Sequence, residues 1–228
     1  MATFVVAHGA WAGSWAWMRV ADRLVSSGHR VLVPTLSGLG ERSHLAGSSI
    51  DLTTHIDDVA NEIRWKDLDD LVLVGHSYGG FVITGVAEKI AERIRSIVYV
   101  DAFIPDDGQA FADFAPEWQL PPDALIPAPP AVMGDYRDDA DRVWVNEKAT
   151  PQPAGTFTER ARVTEAYKTV PRKTFVQATG WDSPFNDTVS ALRADGGWSV
   201  YEVACGHDIP IEEPDELAGI LEKAGGIE

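Results

Sequence analysis

The sequence is poor in cysteine, since Cys205 is the only one among 228 residues. An internal disulfide is therefore excluded, as are metal sites built from paired cysteines. A chain without disulfides suits a reducing compartment, and a cytoplasmic location is expected. No cofactor is expected either, because the sequence has no GxGxxG or P-loop pattern and no His, Asp or Glu cluster at metal-ligand spacing.

Positive charge and long apolar runs are also scarce. Lys and Arg number 19 against 35 Asp and Glu, which gives a formal net charge of −16. Such a chain repels phosphate backbones and anionic lipid, so neither nucleic acid nor a membrane is an expected partner. No apolar run approaches the roughly 20 residues that cross a bilayer, and the first residues lack the basic start of a signal peptide. The sequence predicts a soluble protein and leaves open whether it forms a homodimer.

Short apolar segments alternate with segments of helical periodicity along most of the chain. This alternation is typical of the α/β class, with a mostly parallel sheet flanked by helices. Strands are predicted at residues 4–7, 30–33, 71–74, 97–100, 174–178 and 198–203. Helices are predicted at residues 14–28, 54–65, 78–93, 186–193 and 214–224.

The alternation breaks between residues 103 and 169. Six prolines lie between positions 116 and 130, which excludes long regular structure there. Interspersed aromatic residues make the segment unlike a disordered one. We predict that residues 103–169 form a small helical cap insertion, and that residues 1–102 and 170–228 form one core.

The strongest chemical signal is the stretch Gly75–Gly80, which lies between a predicted strand and a predicted helix. A serine hydroxyl reacts only when it is exposed, oriented and served by a base, and a sharp strand-to-helix turn provides the first two. Gly75 and Gly79 remove Cβ atoms that would clash in such a turn. The alternative is a glycine-rich turn with a solvated serine. The flanking strand and helix favour Ser77 as a nucleophile.

Acyl transfer also needs hydrogen-bond donors for the negative oxygen that develops in the transition state. After a nucleophile at Ser77, one donor would be the backbone N–H of Tyr78. The loop after the first strand, His8-Gly9-Ala10, is placed to supply the second, which we assign to the N–H of Ala10. The alternative is a structural turn whose histidine packs against the sheet, and both interpretations are compatible.

The general base is predicted to be His207, which directly follows the last predicted strand. Loops at the carboxyl ends of parallel strands converge on one crevice, so this histidine can reach Ser77. The other histidines at positions 29, 44, 55 and 76 fit less well, because they precede a strand, lie in the second loop and helix, or sit within the serine turn.

The third expected group is a carboxylate that fixes the imidazole tautomer. Asp182 is the preferred candidate, because it follows the strand at 174–178 and precedes His207 in the chain. Asp101 is a real alternative, since the strand at 97–100 also ends at the crevice. Asp187 is weaker, because it lies at the start of a predicted helix.

Eight tryptophans are present, and most are interpreted as core residues. Trp11, beside the proposed oxyanion loop, and Trp118 and Trp144, in the predicted cap, are candidate walls of a substrate pocket. Cys205 is interpreted as a small buried residue rather than a reactive thiol.

Several stretches together resemble the α/β-hydrolase superfamily, in particular the branch that holds plant methyl-ester hydrolases, plant hydroxynitrile lyases and small bacterial esterases. The resemblance is carried by His8-Gly9-Ala10-Trp11, the loop at 35–44, Gly75–Gly80, the stretch at 100–105 and Gly206-His207. It implies a cofactor-free serine hydrolase that acts on a small-molecule carboxylic ester, with the triad Ser77, Asp182 and His207 beneath a cap.

The sequence departs from the lyases of this branch at two positions. They carry a lysine after the catalytic histidine and a threonine in the oxyanion loop, where this chain has Asp208 and Ala10. Cyanohydrin cleavage is therefore disfavoured. A lactonase, an amidase, a C–C bond hydrolase or an acyltransferase would use the same triad, and a non-catalytic ligand-binding protein is the alternative from a different class.

Overall fold

Six parallel strands form the central sheet in a computed structural model, which describes residues 1–116, 118, 120–121 and 123–227. The strands of this sheet are β1 (Thr3–Ala7), β2 (Arg30–Leu32), β3 (Leu71–His76), β4 (Ile94–Val100), β7 (Arg172–Ala178) and β8 (Ser199–Val203). Two further short strands are β5 (Leu125–Ile126) and β6 (Gln152–Pro153). The central sheet has the order β2-β1-β3-β4-β7-β8, and β5 and β6 form a separate antiparallel pair. The strand order reverses at β1, so a crevice is expected where the chain leaves β1 and β3.

Helices cover both faces of this sheet, as the sequence predicted for an α/β fold. The helices are α1 (Met18–Ser26), α2 (Leu52–Trp65), α3 (Gly79–Ile90), α4 (Asp139–Lys148), α5 (Gly155–Thr158), α6 (Asn186–Asp195), α7 (Ile209–Glu212) and α8 (Pro214–Ala224). Residues of α1 and α8 share one hydrophobic cluster, and residues of α2, α3 and α6 share the other.

Successive residues of β1 point to opposite faces and show why the strands are apolar throughout. Val5 and Ala7 belong to the cluster under α2 and α3, whereas Phe4 and Val6 belong to the cluster under α1 and α8. All four are essentially inaccessible to solvent. A strand buried on both faces needs apolar residues at every position, which explains the continuous apolar runs.

The segment between β4 and β7 contains the irregular structure that the prolines predicted, but it also holds a regular helix of ten residues, α4. The last part of the segment between β4 and β7 packs into the core: Phe157 is completely buried, and its ring stacks on that of Phe111 with the ring centres 4.9 Å apart. Tyr167 likewise packs against Tyr99 of β4. The boundaries of the cap at residues 103 and 169 stay a prediction.

Candidate active site

Ser77 lies at the sharp turn between β3 and α3, where the sequence placed it. Its φ angle is +54°, a left-handed conformation that is rare outside glycine. Only glycine fits two positions before and two positions after Ser77. A Cβ atom on Gly79 would lie 2.4 Å from the carbonyl oxygen of Ala7, and one on Gly75 would lie 2.7 Å from that of Gly79. Ser77 is half-buried, while the residues on either side of it are buried.

His207 lies between β8 and α7, and its Nδ1 is 2.7 Å from Oδ2 of Asp101. Asp101 directly follows β4 and is completely buried. Its carboxylate also accepts hydrogen bonds from the backbone N–H of Ala178 and the indole N–H of Trp181, each at 3.0 Å. A carboxylate can only accept here, so neutral His207 carries its proton on Nδ1 and its lone pair on Nε2.

The choice of Asp182 as the partner of this histidine is wrong in the structure. Asp182 is exposed, and the carboxylate that meets the imidazole is Asp101, the alternative. The loop after β7 contributes a donor instead of an acid, because Trp181 points its indole N–H at Asp101. Trp181 lies next to Asp182 in the sequence, but nothing in the sequence indicated that its indole would bind the carboxylate of Asp101. Asp187 lies in the first turn of α6 and is exposed.

Ser77 and His207 line the same cavity, which has a volume of about 160 Å³. Ser77 and His207, which are 130 positions apart in the sequence, therefore face one crevice at the carboxyl ends of the strands. No hydrogen bond joins them among the described residues of this structure. Serine–histidine contacts of this kind commonly tighten only when substrate is bound.

The loop after β1 passes directly against the serine turn. A Cβ atom on Gly9 would lie 3.0 Å from Nδ1 of His76 and 3.4 Å from Cβ of Ser77. Gly9 and Ala10 line the cavity together with Ser77. In the part of the chain that the structure describes, the N–H groups of Ala10 and Tyr78 have no protein acceptor outside regular elements. Their assignment as oxyanion donors is compatible with this geometry and stays a prediction.

Of the three tryptophans predicted to form pocket walls, only Trp11 lines this cavity. Trp118 packs behind it, with the two rings 6.0 Å apart. Trp144 packs edge-on against Trp15 at 5.0 Å, and Trp15 is the ring that faces the cavity. For this cavity, the predictions for Trp118 and Trp144 are corrected: both support a wall residue from behind.

A larger and more open cleft of about 810 Å³ adjoins this cavity. Tyr136, His207 and Asp208 line both spaces, so they lie where the two meet. The Tyr136 hydroxyl donates a hydrogen bond to Asp208. Burial, together with the nearby Asp208 charge, raises the pKa of Tyr136, which therefore keeps its proton. No sequence pattern indicated a role for Tyr136, because its position depends on how the cap folds.

Three buried histidines surround the site and are held in the neutral form. Burial lowers the pKa of His8, His55 and His76 from 6.5 to about 4 in each case. His76 lies opposite a backbone carbonyl, with Nε2 3.0 Å from the oxygen of His207, and so anchors the loop that carries the proposed base. His8 Nε2 accepts the N–H of Leu36 at 3.1 Å, a bond that protonation would abolish.

We expect acid to destabilise the protein between about pH 6.5 and pH 4, because these three histidines have pKa values near 4 when folded and 6.5 as model groups. In that range the unfolded chain binds more protons than the folded one, so stability falls as pH falls. Each histidine contributes on the order of 2–3 kcal/mol to the total loss. Urea unfolding at about pH 7.5, 6 and 5 measures it, and a free energy of unfolding that stayed constant would contradict it.

No described helix combines the length and the apolar character needed to cross a membrane. Among the described side chains, no three His, Cys, Asp or Glu residues are grouped to hold a metal ion. Cys205 is buried, and desolvation raises the pKa of its thiol to about 12, which agrees with its interpretation as a structural residue.

Comparison with known proteins bears directly on this site. Residues 4–220 match the sequence model of the alpha/beta hydrolase family. The carbendazim hydrolyzing esterase of Nocardioides sp. (strain SG-4G) is 39% identical over 99% of this chain and 100% of its own length. Methylesterase 2 of Arabidopsis thaliana is 33% identical, over 45% of this chain and 40% of its own.

A solved structure is also similar over almost the whole chain. It is an extracellular α/β-hydrolase from a Paenibacillus species, described as sharing structural and functional homology with tobacco salicylic acid binding protein 2. It superposes with a TM-score of 0.83 at 27% identity, covering 99% of both chains. Because that neighbour is extracellular, a cytoplasmic location for this chain stays a prediction. The family match, the parallel sheet and the esterase relatives agree: the chain belongs to the alpha/beta hydrolase family and is a hydrolase of the carboxylesterase type.

Proposed function

We propose that this protein hydrolyses small, uncharged carboxylic esters through an acyl-enzyme on Ser77. The observation that carries the proposal is the hydrogen bond of 2.7 Å between buried Asp101 and partly exposed His207, whose imidazole lines one cavity with Ser77. A carboxylate, an imidazole and a hydroxyl in this order form the constellation that activates a serine.

The proposed reaction begins when Ser77 Oγ attacks the ester carbonyl and His207 Nε2 takes its proton. The N–H groups of Ala10 and Tyr78 stabilise the tetrahedral oxyanion. His207 then protonates the departing alcohol, which leaves the acyl group on Ser77. Water, deprotonated by the same histidine, attacks the acyl-enzyme, and His207 returns that proton to Ser77 Oγ as the acid is released. Asp101 stays ionised and stabilises the imidazolium that forms twice in each cycle.

The dimensions and lining of the cavity support a small, uncharged substrate. Its volume of about 160 Å³ is below the roughly 300–1,000 Å³ of pockets for drug-sized ligands. Most lining residues are apolar, and Asp208 is the only carboxylate among the described residues that line it. The relative named methylesterase favours a methyl ester, and the one named carbendazim hydrolyzing esterase makes carbendazim a compound to test.

We expect Asp208→Asn to improve activity on anionic esters selectively. Removing the Asp208 charge should raise kcat/KM for monomethyl succinate by about 10-fold, because two like charges a few ångströms apart in a partly exposed site repel strongly. Activity on dimethyl succinate, the uncharged counterpart, should change by less than about 3-fold. Equal effects on the two esters would contradict a charge-based selection by Asp208.

Turnover of p-nitrophenyl acetate, with and without a serine-directed phosphonate, tests the proposed function. We expect a burst of p-nitrophenol, loss of activity with one phosphonate per chain, and the adduct on the peptide that contains Ser77. A panel of methyl, ethyl and larger esters, with carbendazim, then defines the alcohol and acyl groups accepted. Absence of turnover, or labelling at another residue, would overturn the proposal.

A further inference from the structure

The cap holds the backbone of Trp11, the residue after the proposed oxyanion donor Ala10, at several points. The N–H of Trp11 donates to Oε1 of Gln152 at 2.8 Å, and its carbonyl accepts from the N–H of Thr150 at 2.9 Å. The indole Nε1 of Trp11 donates to the carbonyl oxygen of Ile126 at 3.0 Å. The loop that must aim Ala10 is thus fixed from outside by residues of β5, β6 and the segment before β6.

Trp11 needs this restraint because its backbone is strained. Its φ angle is +58°, in the left-handed region that bulky residues rarely occupy. Such a conformation is unfavourable and persists only when the surroundings impose it. If the restraint were lost, Trp11 would be free to relax, and the adjoining Ala10 peptide would turn with it.

Gln152 is built to impose that restraint. Its side chain is completely buried, and its Nε2 donates to Oγ1 of Thr156 at 2.8 Å. Oγ1 of Thr156 in turn donates to the carbonyl oxygen of Pro153 at 2.7 Å, so Thr156 can only accept from Gln152. This chain of bonds fixes the amide orientation: a flipped amide would place its NH₂ group against the N–H of Trp11.

The same short segment also supports the other proposed donor. Phe157, one residue after Thr156, packs edge-on against Trp11 at 5.4 Å and against Tyr78 at 5.7 Å. The backbone N–H groups assigned to the oxyanion are those of Ala10, which precedes Trp11, and of Tyr78 itself. Residues 152–157 therefore contact Trp11, which follows one proposed donor, and the side chain of Tyr78, whose backbone N–H is the other.

We propose that Gln152 is a positioning residue, which acts through Trp11 to hold the Ala10 N–H where the oxyanion forms. The inference rests on the proposed function, since an oxyanion hole has a use only if Ser77 is acylated. Gln152 does not line the cavity, so it is expected to affect the transition state rather than substrate binding. A displacement of about 1 Å in a catalytic group costs as much as 100-fold in rate.

We expect Gln152→Met, which keeps the size of the side chain but removes the acceptor, to lower kcat about 10- to 100-fold. KM for p-nitrophenyl acetate should stay within about 3-fold, and the pH profile of kcat should keep its shape, because His207 is untouched. Gln152→Glu retains an oxygen facing the Trp11 N–H, so it should recover most of the kcat lost in Gln152→Met.

The matched control is Gln177→Met, which removes the amide of another buried glutamine. Gln177 donates to Oδ1 of Asn186 at 2.7 Å, so its loss should lower stability without a selective loss of kcat. If Gln152→Met does not fold, Thr156→Val removes the acceptor that orients the Gln152 amide, and kcat should fall at least about 3-fold at unchanged KM.

Failure of this inference can be distinguished from failure of the proposed function. Wild-type turnover with Ser77 labelled, combined with kcat in Gln152→Met or Thr156→Val equal to wild type, overturns the role of Gln152 alone. Equal losses of kcat in Gln152→Met and Gln177→Met would also overturn it, because a general loss of packing would then explain both. Wild-type protein without turnover or labelling overturns the proposed function and this inference together.

Discussion

Replacing Ser77 with alanine is expected to lower kcat for p-nitrophenyl acetate by about 10⁴- to 10⁶-fold, because the members of a triad act as a unit. The fold should be almost unaffected. The Ser77 hydroxyl has no hydrogen-bond partner among the described residues, and alanine meets the same backbone cost at a φ angle of +54°. The free energy of unfolding should therefore change by less than about 1 kcal/mol.

Ser190→Ala is the matched control for this experiment. Ser190 lies on α6, is exposed, and donates only to the carbonyl oxygen of Asn186. Its removal should leave turnover and phosphonate labelling at wild-type levels. Ser77→Ala protein should also lose the phosphonate adduct completely. Ser77→Ala protein that kept more than a few per cent of wild-type turnover after repurification would contradict the acyl-enzyme mechanism.

The sequence was informative about the site wherever a short stretch of chain defines the geometry by itself. The serine turn is such a stretch: Gly75, Ser77 and Gly79 are spaced for a strand-to-helix turn, and the structure shows why each glycine is needed. His207 follows the last strand, so topology alone directs it to the crevice. The fold class was predictable for a related reason, since continuous apolar strands separated by helices permit few arrangements.

The carboxylate could not be chosen from the sequence, because the carboxyl ends of β4 and β7 both face the crevice. Asp101 and Asp182 satisfy the same chain order, and each lies in the loop that follows a strand. The two carboxylates differ in burial. Asp101 is enclosed by hydrogen-bond donors from Ala178, Trp181 and His207, whereas Asp182 is exposed. Contacts of that kind depend on the assembled sheet and leave no local pattern.

The cap was the least predictable part for the same physical reason. Trp118 and Trp144 were placed in the pocket because they are aromatic and lie in the insertion, yet each packs behind a tryptophan from the loop after β1. Gln152, which the sequence did not single out, is held by Thr156 and bonds to Trp11, 141 positions away. An irregular segment directs side chains by its tertiary contacts, so periodicity carries no information about which of them face a cavity.

Replacing Asp101 with asparagine is expected to lower kcat by about 10⁴-fold, the loss that follows when a triad histidine is held in the wrong tautomer. Oδ2 of Asp101 accepts from His207 and Trp181, and Oδ1 accepts from Ala178. An asparagine must place its NH₂ group at one of these oxygens. Facing His207, it would force the imidazole proton onto Nε2, where the proton of Ser77 must be received.

The opposite amide orientation offers no escape, because it would set the NH₂ group against the N–H of Ala178 in a completely buried position. Asp182→Asn, at the exposed position, is the control and should leave kcat within about 2-fold of wild type. The pair of variants therefore decides between the two carboxylates by kcat alone, once thermal unfolding shows that both proteins are folded. A large loss in Asp182→Asn with none in Asp101→Asn would mean that the 2.7 Å contact between Asp101 and His207 is not the catalytic one.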